Sequence, residues 1–237
     1  MTWDPAMRWV EWEPVYETIR ASFGFDRAAD AAARDLLSRL LPRPATPDDC
    51  PSLVGNRVVI AGAASTLENE LDRVMEADRV ITASSGAGVV LDAGGSIDIH
   101  VTDLDEDPAI VDRLAAAEIV MAVHGHGDNQ ETIEQTVPSL EPARVLPTTQ
   151  VEPTATVVNP GGFTDGDRAA FLAHALGAEE LRFAGWDFDD PTVDPIKARK
   201  LAWAERLVYW LEQYRGESYD ILDGRRSAID LSPLPPP

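Results

Sequence analysis

From Arg57 onward the sequence alternates short apolar runs with segments of helical periodicity, and this alternation constrains the fold more than any other feature. The apolar runs are RVVIAG, RVITAS, IDIHVTDLD, EIVMAVHGHG, ARVLPTTQ, ATVVNPGG and ELRFAGWDF. Continuous apolar runs are typical of strands that are buried on both faces of a parallel sheet. Strands that alternate with helices predict an α/β fold, in which a largely parallel sheet is sandwiched by helices.

The segments on either side of this pattern differ from it. Residues 1–47 are expected to form a helical N-terminal extension, because FDRAADAAARDLLSRLL has apolar residues at helical spacing. The tryptophans of this extension are Trp3, Trp9 and Trp12. Residues 54–215 are expected to form the α/β domain. Residues 216–237 form a C-terminal extension whose proline-rich end, LSPLPPP, is expected to join no core.

The charge balance excludes several classes of partner. The chain has 41 acidic and 20 basic residues, a formal net charge of −21, and only two lysines. This charge repels nucleic acid and anionic lipid, so we expect neither as a partner. Acid excess with almost no lysine is typical of cytosolic proteins of salt-accumulating halophiles, where salt screens the repulsion. With no long apolar run and no secretory signal, the sequence predicts a cytoplasmic protein, and a homo-oligomer stays open.

Two aspartates lie at the end of the third apolar run, in the stretch VTDLDED. Asp103 and Asp105 point to the same side if the extended conformation persists. Two carboxylates so placed can hold Mg²⁺ and leave positions for water and phosphate. The alternative is a solvated acidic turn. Glu106 and Asp107, the next residues, are expected to be surface charge only.

The stretch HGHGDN follows the fourth apolar run. Its histidines, His124 and His126, would need further histidine or cysteine ligands to hold zinc, and none lies at the required spacing. A hydrogen-bonding or phosphate-contacting role is therefore favoured for them. Asp128 followed by Asn129 is typical of an oxygen site near a phosphate, or of a cap to the next helix.

The stretch GGFTDGDR stands where an apolar run gives way to a helix. Thr164 is a good N-cap, and Asp167 three residues later completes a capping box. Gly161 and Gly162 would present free N–H groups to an anion at the helix N-terminus. Arg168 can add a forked contact to phosphate. The stretch therefore predicts a phosphate or metal-phosphate site.

Other candidates at this edge of the sheet are less specific. Gly62 lies at a strand-to-helix turn, but its surroundings match neither the dinucleotide-binding nor the P-loop pattern. Trp186 and Phe188 could stack on a flat heterocycle or pack in the core. Lys197 and Lys200 lie one turn apart on the last predicted helix, where they would meet phosphate charge or form an ordinary exposed pair.

Several motifs together resemble a known family. VTDLD, HGHGDN, TTQVEPTATVVNPGGFTDGDRAAFLAHALGA, FAGWDF and KARKLAWAERLV occur in this order, over roughly residues 54–214. They resemble the archaeal 6-hydroxymethyl-7,8-dihydropterin pyrophosphokinase family. The resemblance implies a catalytic domain like that of thiamine pyrophosphokinase. It also implies Mg²⁺-dependent transfer of pyrophosphate from ATP, the co-substrate, to the pterin hydroxymethyl group, with release of AMP, on the route to folate or methanopterin.

On this interpretation each candidate residue takes a role. Asp103 and Asp105 hold Mg²⁺, and either Asp165 or Asp128 completes its ligands. The remaining candidates serve ATP and its phosphates: Gly62, Gly161, Gly162, Thr164, Arg168, Lys197 and Lys200. A neighbouring carboxylate or His126 takes the proton of the attacking hydroxyl.

The chain departs from the family pattern at two loops. The loop after the first strand, usually G-x-G-P-S-L, is GAASTL here, and Ser85 stands where an acidic residue is usual. Two alternative functions stay open. A glycosyltransferase-like protein would use D-x-D for a metal and a nucleotide sugar. A non-catalytic nucleotide-binding module is the other alternative, and Ser85 is its best support.

Overall fold

The computed structural model of the chain describes residues 8–236, so Trp3 lies outside the described residues. These residues form a six-stranded, all-parallel sheet in the order β5-β4-β3-β2-β1-β6, which confirms the predicted α/β fold. The strands are β1 (Arg57–Ala61), β2 (Arg79–Ala83), β3 (Ile99–Thr102), β4 (Val120–Gly125), β5 (Val145–Thr149) and β6 (Glu180–Ala184).

Helices cover both faces of this sheet. In the described residues they are α1 (Trp9–Phe23), α2 (Arg27–Leu40), α3 (Leu71–Met75), α4 (Gly86–Asp92), α5 (Pro108–Ala116), α6 (Gln130–Thr136), α7 (Asp165–Ala175) and α8 (Pro195–Arg215). Side chains alternate along each strand, so Val58 and Ile60 pack with α1, α7 and α8, whereas Val59 and Ala61 pack with α2 to α6. Helices α1 and α2 confirm the predicted helical N-terminal extension.

One predicted strand is wrong. The run ATVVNPGG contributes a single isolated bridge between Val158 and Thr148 within the described residues. Pro160 has no amide proton to donate to a ladder. Gly161 and Gly162 follow with φ of +90° and +89°, which turns the chain away from the sheet and into α7.

The connections after β1 and β2 also differ from prediction. The segment STLENELDRVME is a 3₁₀ turn, Ser65–Asn69, followed by the short helix α3, and not one helix. After β2 the chain forms α4, which the sequence does not predict because Gly86 and Gly88 indicate a turn. A Cβ atom at Gly86 would lie 2.2 Å from the carbonyl oxygen of Gly62, so close packing of the two loops requires this glycine.

Both ends of the described chain pack into the core. The buried indole of Trp12 donates to the carbonyl of Gln150 at 3.2 Å. At the other end, Leu234 is buried and Trp210 donates to the carbonyl of Pro235 at 3.0 Å, so the expectation that this tail joins no core is wrong.

The domain boundaries at 47, 54 and 215 stay a prediction. Among the described helices, none combines the length and apolar character needed to span a membrane.

Candidate active site

A cavity of about 600 Å³ opens at the carboxyl edge of the sheet. Its walls come from the segments that follow the six strands, from the first turns of α7 and α8, and from the connection between α1 and α2. Ligands of parallel α/β sheets bind at this edge. The predicted site residues that line the cavity are Gly62, Asp103, Asp105, His126, Asp128, Thr164, Asp165, Arg168, Lys197 and Lys200.

Three carboxylates meet in this cavity. Asp103 and Asp105 follow β3, Asp165 begins α7, and one oxygen of each lies within 4.8 Å of the others. An all-oxygen set of this kind is what Mg²⁺ prefers in proteins. Asp128 lines the same cavity but is exposed and lies outside this group, so of the two candidates for a third ligand the structure brings Asp165 to the pair.

A buried network holds the turn that carries the first two aspartates. Leu104 has a left-handed backbone, φ +68°, and its amide donates to the hydroxyl of Thr102 at 2.7 Å. That hydroxyl donates to Glu106 at 2.6 Å, and the other oxygen of Glu106 lies 2.9 Å from His100 Nε2. The side chain of Glu106 is 0% exposed, so its expected role as surface charge is wrong. The contacts of this network span two, four and six residues, and they lie in an acidic stretch where nothing in the sequence distinguishes the buried carboxylate of Glu106 from exposed ones.

The electrostatics of the cluster favour a bound cation. Burial alone would raise the pKa of Asp103, but the hydrogen bond from His126 and the charge of Arg168 lower it to about 2. Burial and the charge of Asp103 raise the pKa of Asp105 to about 6. Burial and the same charge raise the pKa of Asp165 well above its ordinary value, against the effect of Arg168. Each carboxylate thus opposes the ionisation of its neighbours, and a cation between them would relieve this repulsion.

The HGHGDN loop is bonded to the aspartate loop. His126 Nε2 lies 3.2 Å from Asp103 Oδ2. The buried side chain of Asn129 donates to the carbonyl oxygens of Asp103 and His124, both at 2.8 Å, and accepts from the amide of His126 at 3.0 Å. The favoured hydrogen-bonding role of this loop therefore includes holding the aspartate turn in place.

Gly161 and Gly162 lie outside the cavity wall, contrary to the anion cradle predicted from the sequence. Both are buried against α7. A Cβ at Gly162 would lie 2.4 Å from the Cα of Arg168, and one at Gly161 would lie 3.0 Å from the ring of Phe171. Packing and positive φ therefore explain these glycines. The part of this stretch that does line the cavity is Thr164 and the first turn of α7, with Asp165, Gly166 and Arg168.

Replacing Gly162 with Ala is expected to lower the free energy of unfolding by about 3 kcal/mol, because left-handed strain and overpacking against Arg168 add together. Gly216→Ala is the matched control, since Gly216 also has positive φ but nothing within 4 Å of a new Cβ. Gly216→Ala should cost only about 1 kcal/mol, the strain of a left-handed backbone without overpacking. Urea denaturation measures both values, and equal losses would mean that the contact with Arg168 is unimportant.

Arg168 lies beneath the acidic cluster. Its side chain is 3% exposed, Nη1 lies 3.2 Å from Asp165 Oδ1, and Nη2 donates to the carbonyl of Phe163 at 2.8 Å. The guanidinium therefore supports Asp165 and balances part of its charge. Both end nitrogens are engaged by the protein, so a forked contact to phosphate would have to use their remaining N–H groups and stays a prediction.

Trp186 packs between loops and also lines the cavity. Its indole nitrogen donates to the carbonyl of Ile60 at 3.0 Å. A Cβ at Gly166 would lie 2.8 Å from the indole, and one at Gly62 would lie 2.6 Å from the carbonyl oxygen of Gly185. Close packing thus accounts for Gly62.

Lys197 and Lys200 also line the cavity, and both lie in the first two turns of α8.

The N-terminal extension supplies cavity residues that carry no motif in the sequence. Phe25, Asp26 and Asp30 line the cavity, as does Gln150 after β5. Asp30 is buried and accepts from Tyr16 Oη, Gln150 Nε2 and the amide of Gly127, each at 2.8 Å. These partners lie 14 to 120 residues away in the chain, so no local pattern could identify them.

Comparisons with known proteins agree with this geometry. Residues 44–192 match the family described as 6-hydroxymethylpterin diphosphokinase MptE-like. A protein of Pyrococcus furiosus is 37% identical over 95% of this chain and 100% of its own length. A protein of Methanothermobacter thermautotrophicus is 35% identical over 86% of this chain and 94% of its own length. A protein of Methanocaldococcus jannaschii is 31% identical over 85% of this chain and 95% of its own length. All three relatives are named 6-hydroxymethyl-7,8-dihydropterin pyrophosphokinase.

Proposed function

The chain belongs to the 6-hydroxymethylpterin diphosphokinase MptE-like family, and on that premise we propose that it transfers pyrophosphate from ATP to 6-hydroxymethyl-7,8-dihydropterin. The products are AMP and the pterin diphosphate, for folate or methanopterin biosynthesis. The observation that carries the proposal is the three-carboxylate cluster inside a cavity of about 600 Å³. A cavity of this size accommodates small molecules, and the cluster lies where phosphate charge has to be balanced.

The residues of the cluster fit Mg²⁺. Asp103, Asp105 and Asp165 offer oxygen ligands alone, and their mutual repulsion favours a cation. When bound, Mg²⁺ supplies positive charge that stabilises the transferred phosphoryl group. Asp128 stays a candidate for a ligand through water, since it lines the same cavity.

In the reaction, the pterin hydroxyl oxygen forms a bond to the β-phosphorus, and the bond from that phosphorus to the oxygen of AMP breaks. The enzyme mainly orients the two substrates in line. The hydroxyl proton goes to a base in the cavity. His126 Nε2 is engaged by Asp103 at 3.2 Å, and Nδ1 accepts from the amide of Asp128 at 3.3 Å. Because both ring nitrogens have partners, the structure supports a cluster carboxylate as the proton acceptor.

The decisive experiment incubates the protein with ATP, Mg²⁺ and 6-hydroxymethyl-7,8-dihydropterin at high salt and separates the nucleotides. We expect AMP and no ADP, and formation of AMP should require the hydroxymethyl group. The 6-methyl analogue, which has no hydroxyl to attack, is the matched control. Release of ADP would mean simple kinase chemistry, and bound nucleotide without turnover would favour a non-catalytic module.

The two lysines of α8 provide a second test. In multimolar salt exposed ion pairs are screened, whereas a lysine that meets ATP phosphates inside a cavity is screened less. We expect Lys197→Ala, Lys200→Ala or both to raise the KM for ATP or lower kcat at high salt, by about fivefold or more. Arg113→Ala is the control, since Arg113 is 45% exposed and paired with Asp92. If both lysine variants keep wild-type kinetics, neither lysine contacts ATP and the two are ordinary surface charges.

A further inference from the structure

Helix α2 of the N-terminal extension packs closely against the HGHGDN loop. A Cβ atom at Gly125 would lie 2.8 Å from Leu37 Cδ1, and one at Gly127 would lie 2.8 Å from the Cβ of Ala29. Real Cβ atoms do not come this close to their neighbours, so α2 can lie here only because both loop residues lack a side chain. The two glycines of the loop are therefore explained by their contact with the extension.

The carboxylate of Asp30 is bonded at the same contact. Asp30 lies on α2, is 3% exposed and accepts three hydrogen bonds, each at 2.8 Å. The amide of Gly127 donates to Oδ1, whereas Gln150 Nε2 and Tyr16 Oη donate to Oδ2. All three donors are neutral. Since a carboxylate is costly to bury with neutral partners alone, its presence here indicates a role besides packing.

The amide that Asp30 holds belongs to the residue after His126. His126 Nε2 lies 3.2 Å from Asp103 Oδ2, the carboxylate that the proposed function assigns to Mg²⁺. Asn129 connects the same loop to the aspartate turn, because it accepts from the amide of His126 at 3.0 Å and donates to the carbonyl of Asp103 at 2.8 Å. A continuous series of contacts therefore leads from Asp30 through this loop to the acidic cluster.

We propose that Asp30 is a positioning residue, which holds the amide of Gly127 so that His126 orients Asp103 in the metal site. This role rests on the proposed function, and it makes the N-terminal extension part of the active site rather than only a cover of the sheet. Partners that orient a metal ligand commonly change metal affinity or activity by about 10- to 100-fold when they are replaced. The alternative is that Asp30 only anchors α1 and α2 to the rest of the chain.

Two variants of Asp30 test its effect on the cluster. Asp30→Ala removes the acceptor of the Gly127 amide, so we expect it to weaken Mn²⁺ binding and to lower kcat, each by about tenfold. Asp30→Asn keeps an oxygen that can accept from this amide and should recover most of both losses. Hydrogen exchange of the Gly127 amide, followed by NMR without metal or substrates, reports the hydrogen bond itself. It should be faster in Asp30→Ala and close to wild type in Asp30→Asn.

Tyr16→Phe is the matched control, because it removes a different hydrogen bond to the same carboxylate. Tyr16 is buried on α1 and does not line the cavity. The variant should lower the free energy of unfolding but keep wild-type Mn²⁺ affinity, kcat and exchange at Gly127. If it weakens Mn²⁺ binding as much as Asp30→Ala does, the effect comes from general loosening of the extension, and Asp30 is not a positioning residue.

The remaining outcomes separate this role from the proposed function. If Asp30→Ala speeds exchange at Gly127 but binds Mn²⁺ as the wild type does, Asp30 only anchors the extension. If Asp30→Ala does not fold, Gly127→Ala replaces it, since the new Cβ would push the loop away from α2. A tenfold loss of Mn²⁺ affinity in Gly127→Ala would support the positioning role, and wild-type affinity would contradict it.

Binding of Mn²⁺ and exchange at Gly127 are both measured without substrates. They therefore test Asp30 even if the chain forms no AMP, in which case only the proposed reaction fails. If the wild type forms AMP but binds no Mn²⁺, the transfer reaction stands and the positioning role of Asp30 fails.

Discussion

Asp103→Asn is expected to lower turnover by about a hundredfold or more while the protein stays folded. The pKa of Asp103 is lowered to about 2, so this carboxylate is ionised at neutral pH and contributes full negative charge to the cluster. Its replacement removes a ligand charge from the site proposed for Mg²⁺, where charge stabilisation contributes several kcal/mol. Asp105→Asn and Asp165→Asn should have effects of the same kind, because their oxygens belong to the same group.

The control for these variants is Asp107→Asn. Asp107 is exposed, lies outside the cavity and caps α5 by accepting from the amide of Ala109 at 2.9 Å. Asn is an equally good cap, so this variant makes the same change of charge near the site without removing a proposed ligand. Rates are measured over a Mg²⁺ titration, and binding of Mn²⁺ is measured without substrate. Near-wild-type rates and Mn²⁺ affinity in the Asp103 and Asp105 variants would mean that the pair is only an acidic turn.

Glu106→Ala is expected to lower the free energy of unfolding by about 3 kcal/mol, since it leaves two buried partners without an acceptor. Those partners are Thr102, at 2.6 Å, and His100, at 2.9 Å. Glu118→Ala is the control, because Glu118 is 77% exposed and should change stability by less than about 0.5 kcal/mol. Urea denaturation at one salt concentration compares the two variants. If Glu106→Ala and Glu118→Ala are equally stable, the buried network does not contribute to the free energy of unfolding.

The same variant tests how the aspartate turn is held. Thr102 connects Glu106 to the amide of Leu104, whose left-handed backbone separates the two aspartates. Residues held in such a backbone conformation cost about 1–3 kcal/mol and persist when their surroundings enforce them. Loss of Glu106 should therefore weaken Mn²⁺ binding as well as stability. If Glu106→Ala lowers stability but leaves Mn²⁺ affinity unchanged, the network stabilises the fold without positioning the two aspartates.

The sequence by itself determined the class of the fold and the edge of the sheet where the candidate site lies. Both depend on local patterns: apolar runs of strand length, helical periodicity, and polar residues where strands end. Because parallel strands share one carboxyl edge, the sequence places Asp103 and His126 together. It also places Asp165 there, although the strand predicted before Asp165 is not formed. The capping box of α7, with Thr164 and Asp167, is local in the same sense and is present in the structure.

Only the tertiary structure decided which residues of these stretches face the cavity. Glu106 and Asp107 are adjacent and chemically alike, yet one is buried in a network and the other is exposed. Gly161 and Gly162 have the sequence of an anion loop, but α7 packs against them and its first turn reaches the cavity instead. The periodicity of the sequence indicates the local backbone conformation. The burial of Glu106 and the packing of the two glycines depend instead on which distant element lies against them.

In the N-terminal extension, too, local sequence patterns do not predict contacts, and here the contacting residues are far apart in the chain. Its helices were predicted, but Asp30 comes to the cavity through contacts with Gly127 and Gln150, 97 and 120 residues away. A contact at such separation leaves no period in the sequence, because its cost is the entropy of closing the chain and its gain is burial against a distant surface. The position of the cavity at the carboxyl edge of the sheet is therefore predictable from the sequence, whereas the wall contributed by Phe25 and Asp30 is not.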